Sequence, residues 1–221
     1  MSRNTRIALK IAVWIACLLP LACLMYWAAT GDLTANPISF ITNTLGDWTL
    51  RILLTSLALT PIRLLFGWAW LVAFRRLLGL FAFFYASLHL GVWVILDHFF
   101  NWEEMLADIL KRRYITLGML ALALLLPLAA TSTSGMIRRL GGKKWRALHR
   151  LVYLIATLAI LHYIWLAKVG VRTSYIYAAI LAALLGIRLW DAVRRRLRGG
   201  GHLPGAAPNR RGSSPSVVRP S

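Results

Sequence analysis

Residues 149–168 read HRLVYLIATLAILHYIWLAK. Between Leu151 and Ala167 only Thr157 and His162 are clearly polar, with Tyr153, Tyr163 and Trp165 amphipathic. A predominantly apolar run of about 20 residues is the length an α-helix needs to cross the hydrocarbon core of a bilayer. It shows neither the strict alternation of a half-buried strand nor the polar face of a soluble amphipathic helix. Its reading as a membrane span decides the fold, because similar runs recur on both sides of it.

Six such spans are expected, over about 9–30, 47–70, 77–97, 114–131, 149–168 and 174–193. The second is interrupted by Arg51, Arg63 and Thr60-Pro61. A proline is tolerated in a membrane helix where neighbours re-satisfy the freed carbonyl. Only Lys168 to Thr173 separates the fifth span from the sixth, so those two form a tight antiparallel pair. The composition agrees: 59% of the 221 residues are hydrophobic and 15% charged, against roughly a quarter charged in soluble domains. The expected class is all-α, a polytopic bundle of six transmembrane helices over residues 1–198. Beyond it, residues 199–221 form a Gly-, Pro-, Ser- and Arg-rich basic tail that cannot bury a core and is expected to be disordered.

The net charge of +19 is distributed by topology. Arg3, Arg6 and Lys10, then Arg75 and Arg76, then Arg138, Arg139, Lys143, Lys144 and Arg146, and finally Arg194, Arg195, Arg196 and Arg198 fall on one side of a six-span chain. The other side carries Asp32, Asp47, Asp97, Glu103, Glu104 and Asp108, with Lys111, Arg112 and Arg113 as its main cations. Retention of Lys and Arg on the cytoplasmic face then places both termini in the cytoplasm. Nucleic acid is not an expected partner, since no binding module accompanies the charge. The stretch Ile11 to Ala29 is too long for a signal-peptide core and ends in Thr-Gly-Asp, so it reads as a retained first span. Cys17 and Cys23, about 240° apart on a helix, do not form a ligand pair.

Five histidines remain. His202 lies in the tail and His98 follows Asp97 at the end of the third span, where an interfacial role suffices. His89 and His162 are the informative ones. Each lies roughly 18–20 Å along an outward-running span, measured from Leu77 and from His149. Two imidazoles at one level on different helices are what a six-coordinate b-type haem requires. His149 sits near the inner edge, and the position fourteen residues before His89 is Arg75. Arg75 offers no lone pair to a metal, but its guanidinium suits a propionate or phosphate. His149 and His162 are thirteen residues apart, roughly 140° around an ideal helix, so either the helix departs from ideality or the two sites are approached from different sides. Gly79, Ala82, Ala86 and Gly91 thin the third span, Tyr85, Tyr153, Tyr163 and Trp165 are available to pack on a macrocycle, and Arg138, Arg139, Arg146 and Arg150 to pair with propionates or a flavin phosphate.

The stretches Arg75-Arg76-Leu77-Leu78-Gly79-Leu80, Tyr85-Ala86-Ser87-Leu88-His89 and Trp145-Arg146-Ala147-Leu148-His149-Arg150-Leu151-Val152-Tyr153, with Thr131-Ser132, Gly141 and Thr60-Pro61-Ile62-Arg63, resemble the haem-binding subunits of bacterial periplasmic methionine sulfoxide reductase systems. These belong to the ferric-reductase-like transmembrane group, and the resemblance covers about residues 5–195. It implies a multi-pass protein of the bacterial inner membrane with haem b, one or two, and FMN. It further implies electrons taken from membrane quinol and passed to a periplasmic molybdopterin-containing catalytic subunit that repairs oxidised methionines. Of the four histidine positions usual in the group's third and fifth spans, His89, His149 and His162 match three and Arg75 stands at the fourth.

No Gly-rich dinucleotide fingerprint, cysteine cluster or catalytic triad is visible, which suits an electron relay without a substrate-reducing site. Three alternatives stand beside it. They are a stand-alone haem reductase of quinone, oxygen or metal ions; a small transporter using an intramembrane His; and a non-haem metalloenzyme using His89, His149 and His162 together. The last is opposed by the roughly 20 Å between His149 and His162, and the transporter by a lack of buried acids in the spans.

Overall fold

The computed structural model describes residues 2–166 and 172–199; the expected tail, His202 and Lys168 lie outside the described residues. Nine α-helices run in order among the described residues: α1 Arg3–Thr30, α2 Pro37–Phe66, α3 Arg75–Val92, α4 Trp102–Lys111, α5 Arg113–Ala130, α6 Ser134–Leu140, α7 Gly142–His149, α8 Leu151–Leu166 and α9 Arg172–Gly199. A 3₁₀ turn, Ala69–Phe74, leads into α3 and a π-helical turn, Trp93–Asp97, follows it. Six segments are long and apolar enough to cross a membrane: Arg3–Thr30, Pro37–Phe66, Ala69–Asp97, Arg113–Ala130, Gly142–Leu166 and Arg172–Arg198.

The second span begins ten residues earlier than expected. Asn36 caps it by accepting the Ser39 amide at 3.1 Å, and Pro37 supplies a preset φ at the first helical position. Asp47, expected in a connecting segment, therefore lies inside a span, and the expected lack of intramembrane acids does not hold. Its carboxylate is answered locally by Arg51, one turn on, at 3.4 Å. Arg51 in turn donates to the Tyr177 hydroxyl at 2.8 Å and lies over the Trp48 ring.

α2 is the central element, packed most extensively on α3, while α5 pairs with α8 and α9 closes against α2 and α8. Leu53, Leu57, Ile155 and Tyr85 are the largest side chains almost fully removed from solvent. The Tyr85 hydroxyl donates to the Cys17 carbonyl at 2.7 Å and ties α1 to α3. α1 otherwise exposes Trp14, Ile15, Leu19 and Met25, as a lipid-facing helix does.

Alternating spans gather Arg75, the α6–α7 segment and Arg194–Arg198 at one end of the bundle, here termed the basic end. His149 closes α7 and Leu151 opens α8, so the helix breaks at Arg150 and the two histidines of this span sit on separate helices.

Candidate functional site

At the end opposite the basic one, α3 and α8 bring the rings of His89 and His162 together. Their ring centroids are 6.2 Å apart and the planes cross at 84°. Each ring is pinned by a helix other than its own. His89 Nδ1–H donates to the Thr42 carbonyl of α2 at 2.8 Å, and His162 Nδ1–H to the Tyr114 carbonyl of α5 at 2.6 Å. A backbone carbonyl can only accept, so it fixes the proton on Nδ1 and leaves the lone pair on Nε2, the arrangement common to metal-binding histidines.

The separation fits one metal between them. Two metal–imidazole bonds of about 2.0–2.1 Å, with each nitrogen roughly 1.2 Å from its ring centre, place two axial imidazole centroids about 6.4 Å apart. No group of three His, Cys, Asp or Glu side chains converges among the described residues. His149 belongs to the other end, and the three span histidines do not meet at one point. The pair suits an axial ligand set for a group that brings its own equatorial donors.

Two glycines that the sequence reading passed over make the clamp possible. A Cβ at Gly118 would stand 2.9 Å from His162 Nδ1, and one at Gly46 3.2 Å from His89 Cε1. Each glycine lies four residues after the carbonyl that holds the ring, Thr42 before Gly46 and Tyr114 before Gly118, so the imidazole lies across one bare helical turn. The same tripeptide marks both places: Thr44-Leu45-Gly46 and Thr116-Leu117-Gly118. Gly79 and Gly91, expected to matter on the third span, face open space within the protein.

His98 is buried, not interfacial as expected. Its Nδ1 faces the Trp93 carbonyl at 3.2 Å and its Nε2 the Asp108 carboxylate at 3.4 Å, joining the end of α3 to α4. Both nitrogens are engaged, so it is not a free ligand.

At the basic end, His149 is half-buried and stacked on Trp145, with centroids 3.9 Å apart and planes at 29°. Its Nδ1 turns back on the Trp145 carbonyl of its own helix at 3.1 Å, and its Nε2 is buried without a hydrogen-bond partner. Trp145 is itself fixed by donating to the Thr131 carbonyl at 3.0 Å. Arg75 is half-buried at the start of α3. Arg138, Arg139, Arg146 and Arg150 are exposed. The residue missed here is Arg188 of α9, which donates to the Tyr153 hydroxyl at 2.7 Å.

Comparison with known proteins agrees with this architecture. Residues 45–160 match the family described as ferric reductase like transmembrane component, a stretch that takes in His89 and ends two residues before His162. The chain is 56% identical over 190 residues to the protein-methionine-sulfoxide reductase haem-binding subunit MsrQ of Rhodospirillum rubrum, covering 86% of this chain and 91% of the relative. It is 51% identical to MsrQ of Herminiimonas arsenicoxydans, over 85% of this chain and 87% of that one. With MsrQ of Ralstonia nicotianae it shares 47% identity, over 92% and 94%. The chain belongs to the MsrQ family of haem-binding subunits of protein-methionine-sulfoxide reductase, within the ferric-reductase-like transmembrane proteins.

Proposed function

We propose that His89 and His162 are the axial ligands of a b-type haem, and that the chain relays electrons through it from the basic end to the opposite end of the bundle. The recipient is a periplasmic molybdopterin-containing methionine sulfoxide reductase subunit, and the donor is membrane quinol. The observation that carries this reading is the clamped pair, with both Nδ1 protons committed to carbonyls and centroids 6.2 Å apart. Bound there, the haem supplies one-electron chemistry. The residues of the chain fix its level in the membrane, exclude water with Leu45, Leu117 and their neighbours, and hold both imidazoles oriented.

The basic end faces the cytoplasm in this reading, which places both termini there and the protein in the bacterial inner membrane. His149 and Arg75 serve a second redox group at that end, either an inner haem with an unusual ligand set, FMN or the quinol itself. Orientation has its own test: a cysteine placed at Gly142, in a variant lacking Cys17 and Cys23, stays unlabelled by an impermeant reagent in intact cells and reacts once the membrane is opened.

The decisive experiment is a dithionite-reduced minus oxidised spectrum of the purified protein with haem quantified per polypeptide, followed by quinol-driven turnover with the catalytic subunit added. A low-spin bis-histidine spectrum and partner-dependent methionine sulfoxide reduction are expected. A preparation without haem, or one that delivers no electrons to the partner, overturns the reading.

A further inference from the structure

Arg188 lies deep in α9, flanked by Ile187, Leu189 and Trp190. Its guanidinium reaches inward. Nη1 donates to the Tyr153 hydroxyl at 2.7 Å, Nη2 donates to the Leu57 carbonyl at 2.5 Å, and the group lies over the Tyr153 ring at 5.2 Å. Its Nε is buried and has no hydrogen-bond partner. Tyr153 stands one turn beyond His149, whose Nε2 is another buried nitrogen without a partner. Next to Leu57, Ser56 donates to the Arg75 carbonyl at 3.1 Å. One turn of α2 therefore meets the Arg188 guanidinium at the Leu57 carbonyl and the first residue of α3 at the Arg75 carbonyl.

No carboxylate answers these two cations. Of the seven acids, Asp32, Asp97, Glu103, Glu104 and Asp108 sit toward the other end, Asp47 pairs with Arg51, and Asp191 pairs with Arg195 at 2.9 Å. Arginine does not shed its proton under such pressure. A buried charge without a compensating one is among the costliest features a protein carries. The Tyr153 hydroxyl and Leu57 carbonyl solvate Arg188 without neutralising it.

We propose that Arg188 and Arg75 together form a receptor for an anionic group, a carboxylate or a phosphate, carried by a cofactor at the basic end. Tyr153 is a positioning residue: it aims the guanidinium and leaves its Nε side open. The receptor rests on the reading that the basic end holds a redox group, and it is independent of the haem on His89 and His162. A haem presents carboxylates and a flavin mononucleotide presents a phosphate, so counting the two cofactors separates the sources.

The test compares Arg188→Met, Arg188→Lys and Arg75→Met with the wild-type protein, purified from membranes. Haem and FMN per polypeptide are measured before and after prolonged dialysis, with redox titration of each haem. Losing one charge-assisted partner in a desolvated site is expected to weaken retention of one cofactor roughly tenfold to a hundredfold in Arg188→Met and Arg75→Met. Arg188→Lys should retain more, and the bis-histidine haem should be unaffected throughout. Loss of haem identifies carboxylates, and loss of FMN identifies phosphate. Unchanged haem, FMN and potentials in both methionine variants overturn the proposal; if Arg188→Met does not accumulate, Arg75→Met decides alone. A wild-type protein that carries only one haem, and binds no added FMN, overturns the receptor and leaves the proposed function standing. A wild-type protein with no haem removes the proposed function itself.

Discussion

At one end of the bundle two imidazoles meet, each held by a carbonyl from a neighbouring helix and seated on a bare glycine turn. At the other end a single imidazole leans on Trp145 and bonds back to its own helix. The difference is one of preorganisation. The first end has its ligand geometry built by four helices before any group arrives, so binding there costs little rearrangement. The second offers fixed positive charge and two buried nitrogens without partners, which selects for the charge of a ligand more than for its metal.

The largest effect expected from breaking this comparison is at the clamped pair. His89→Ala or His162→Ala should abolish the low-spin bis-histidine signal and remove that haem, because one imidazole cannot complete a six-coordinate site. An unchanged spectrum and haem content in both variants would sink the assignment. Next comes His149→Ala, expected to slow quinol-driven reduction at least about tenfold, the loss of one well-placed partner group, while dithionite still reduces the clamped haem fully. Arg75→His sharpens it by giving the basic end a possible second imidazole, and a new bis-histidine component in the spectrum is the expected result. Full turnover with quinol in His149→Ala would make that residue structural.

A smaller, graded effect separates the two glycines. A methyl at Gly118 would meet the His162 ring at 2.9 Å, and one at Gly46 the His89 ring at 3.2 Å. Gly118→Ala must move the imidazole off the Tyr114 carbonyl, an overpacking cost of about 1–3 kcal/mol, whereas Gly46→Ala needs a shift of a few tenths of an ångström and costs about 1 kcal/mol or less. Haem retention should follow the order wild type, Gly46→Ala, Gly118→Ala. The reverse order would show that the rings rest elsewhere when the haem is bound.

What the sequence made legible was set by periodicity and depth. Hydropathy located six spans, and counting residues along the third and fifth matched His89 with His162. The clamp was not legible that way, because a hydrogen bond from a side chain to another helix's carbonyl leaves no trace in composition; the repeated Thr-Leu-Gly was its one local signal. The early start of α2 was marked by Asn36-Pro37, a cap whose meaning was hidden by the polar residues Asn43 and Asp47 that follow. Arg188 escaped notice because it precedes the Arg194–Arg198 run and passes for part of a charged terminus. Its apolar neighbours place it a turn and a half deeper, where a cation needs a reason.

The smallest expected effect concerns the histidine beside the clamp that is not a ligand. After the π-helical turn, Phe99 and Phe100 adopt φ values of 45° and 61°, a left-handed region that non-glycine residues rarely enter. The Phe100 amide bonds the Val94 carbonyl at 3.0 Å, and His98 spans the same bend by reaching Trp93 with one nitrogen and Asp108 with the other. Asp108 also holds Arg112 at 3.1 Å, so the cluster fastens α4 to the end of the third span. His98→Ala removes two hydrogen bonds from a buried position, worth about 1–2 kcal/mol, and a chain of this length loses about 2–4 °C in Tm for each kcal/mol. The melting temperature should fall by a few degrees while haem content and the bis-histidine spectrum stay as in the wild type, and His98→Gln should recover part of the loss. A changed haem spectrum in His98→Ala would mean that this end holds its cofactor with more than the clamped pair, and the division between the two ends would have to be redrawn.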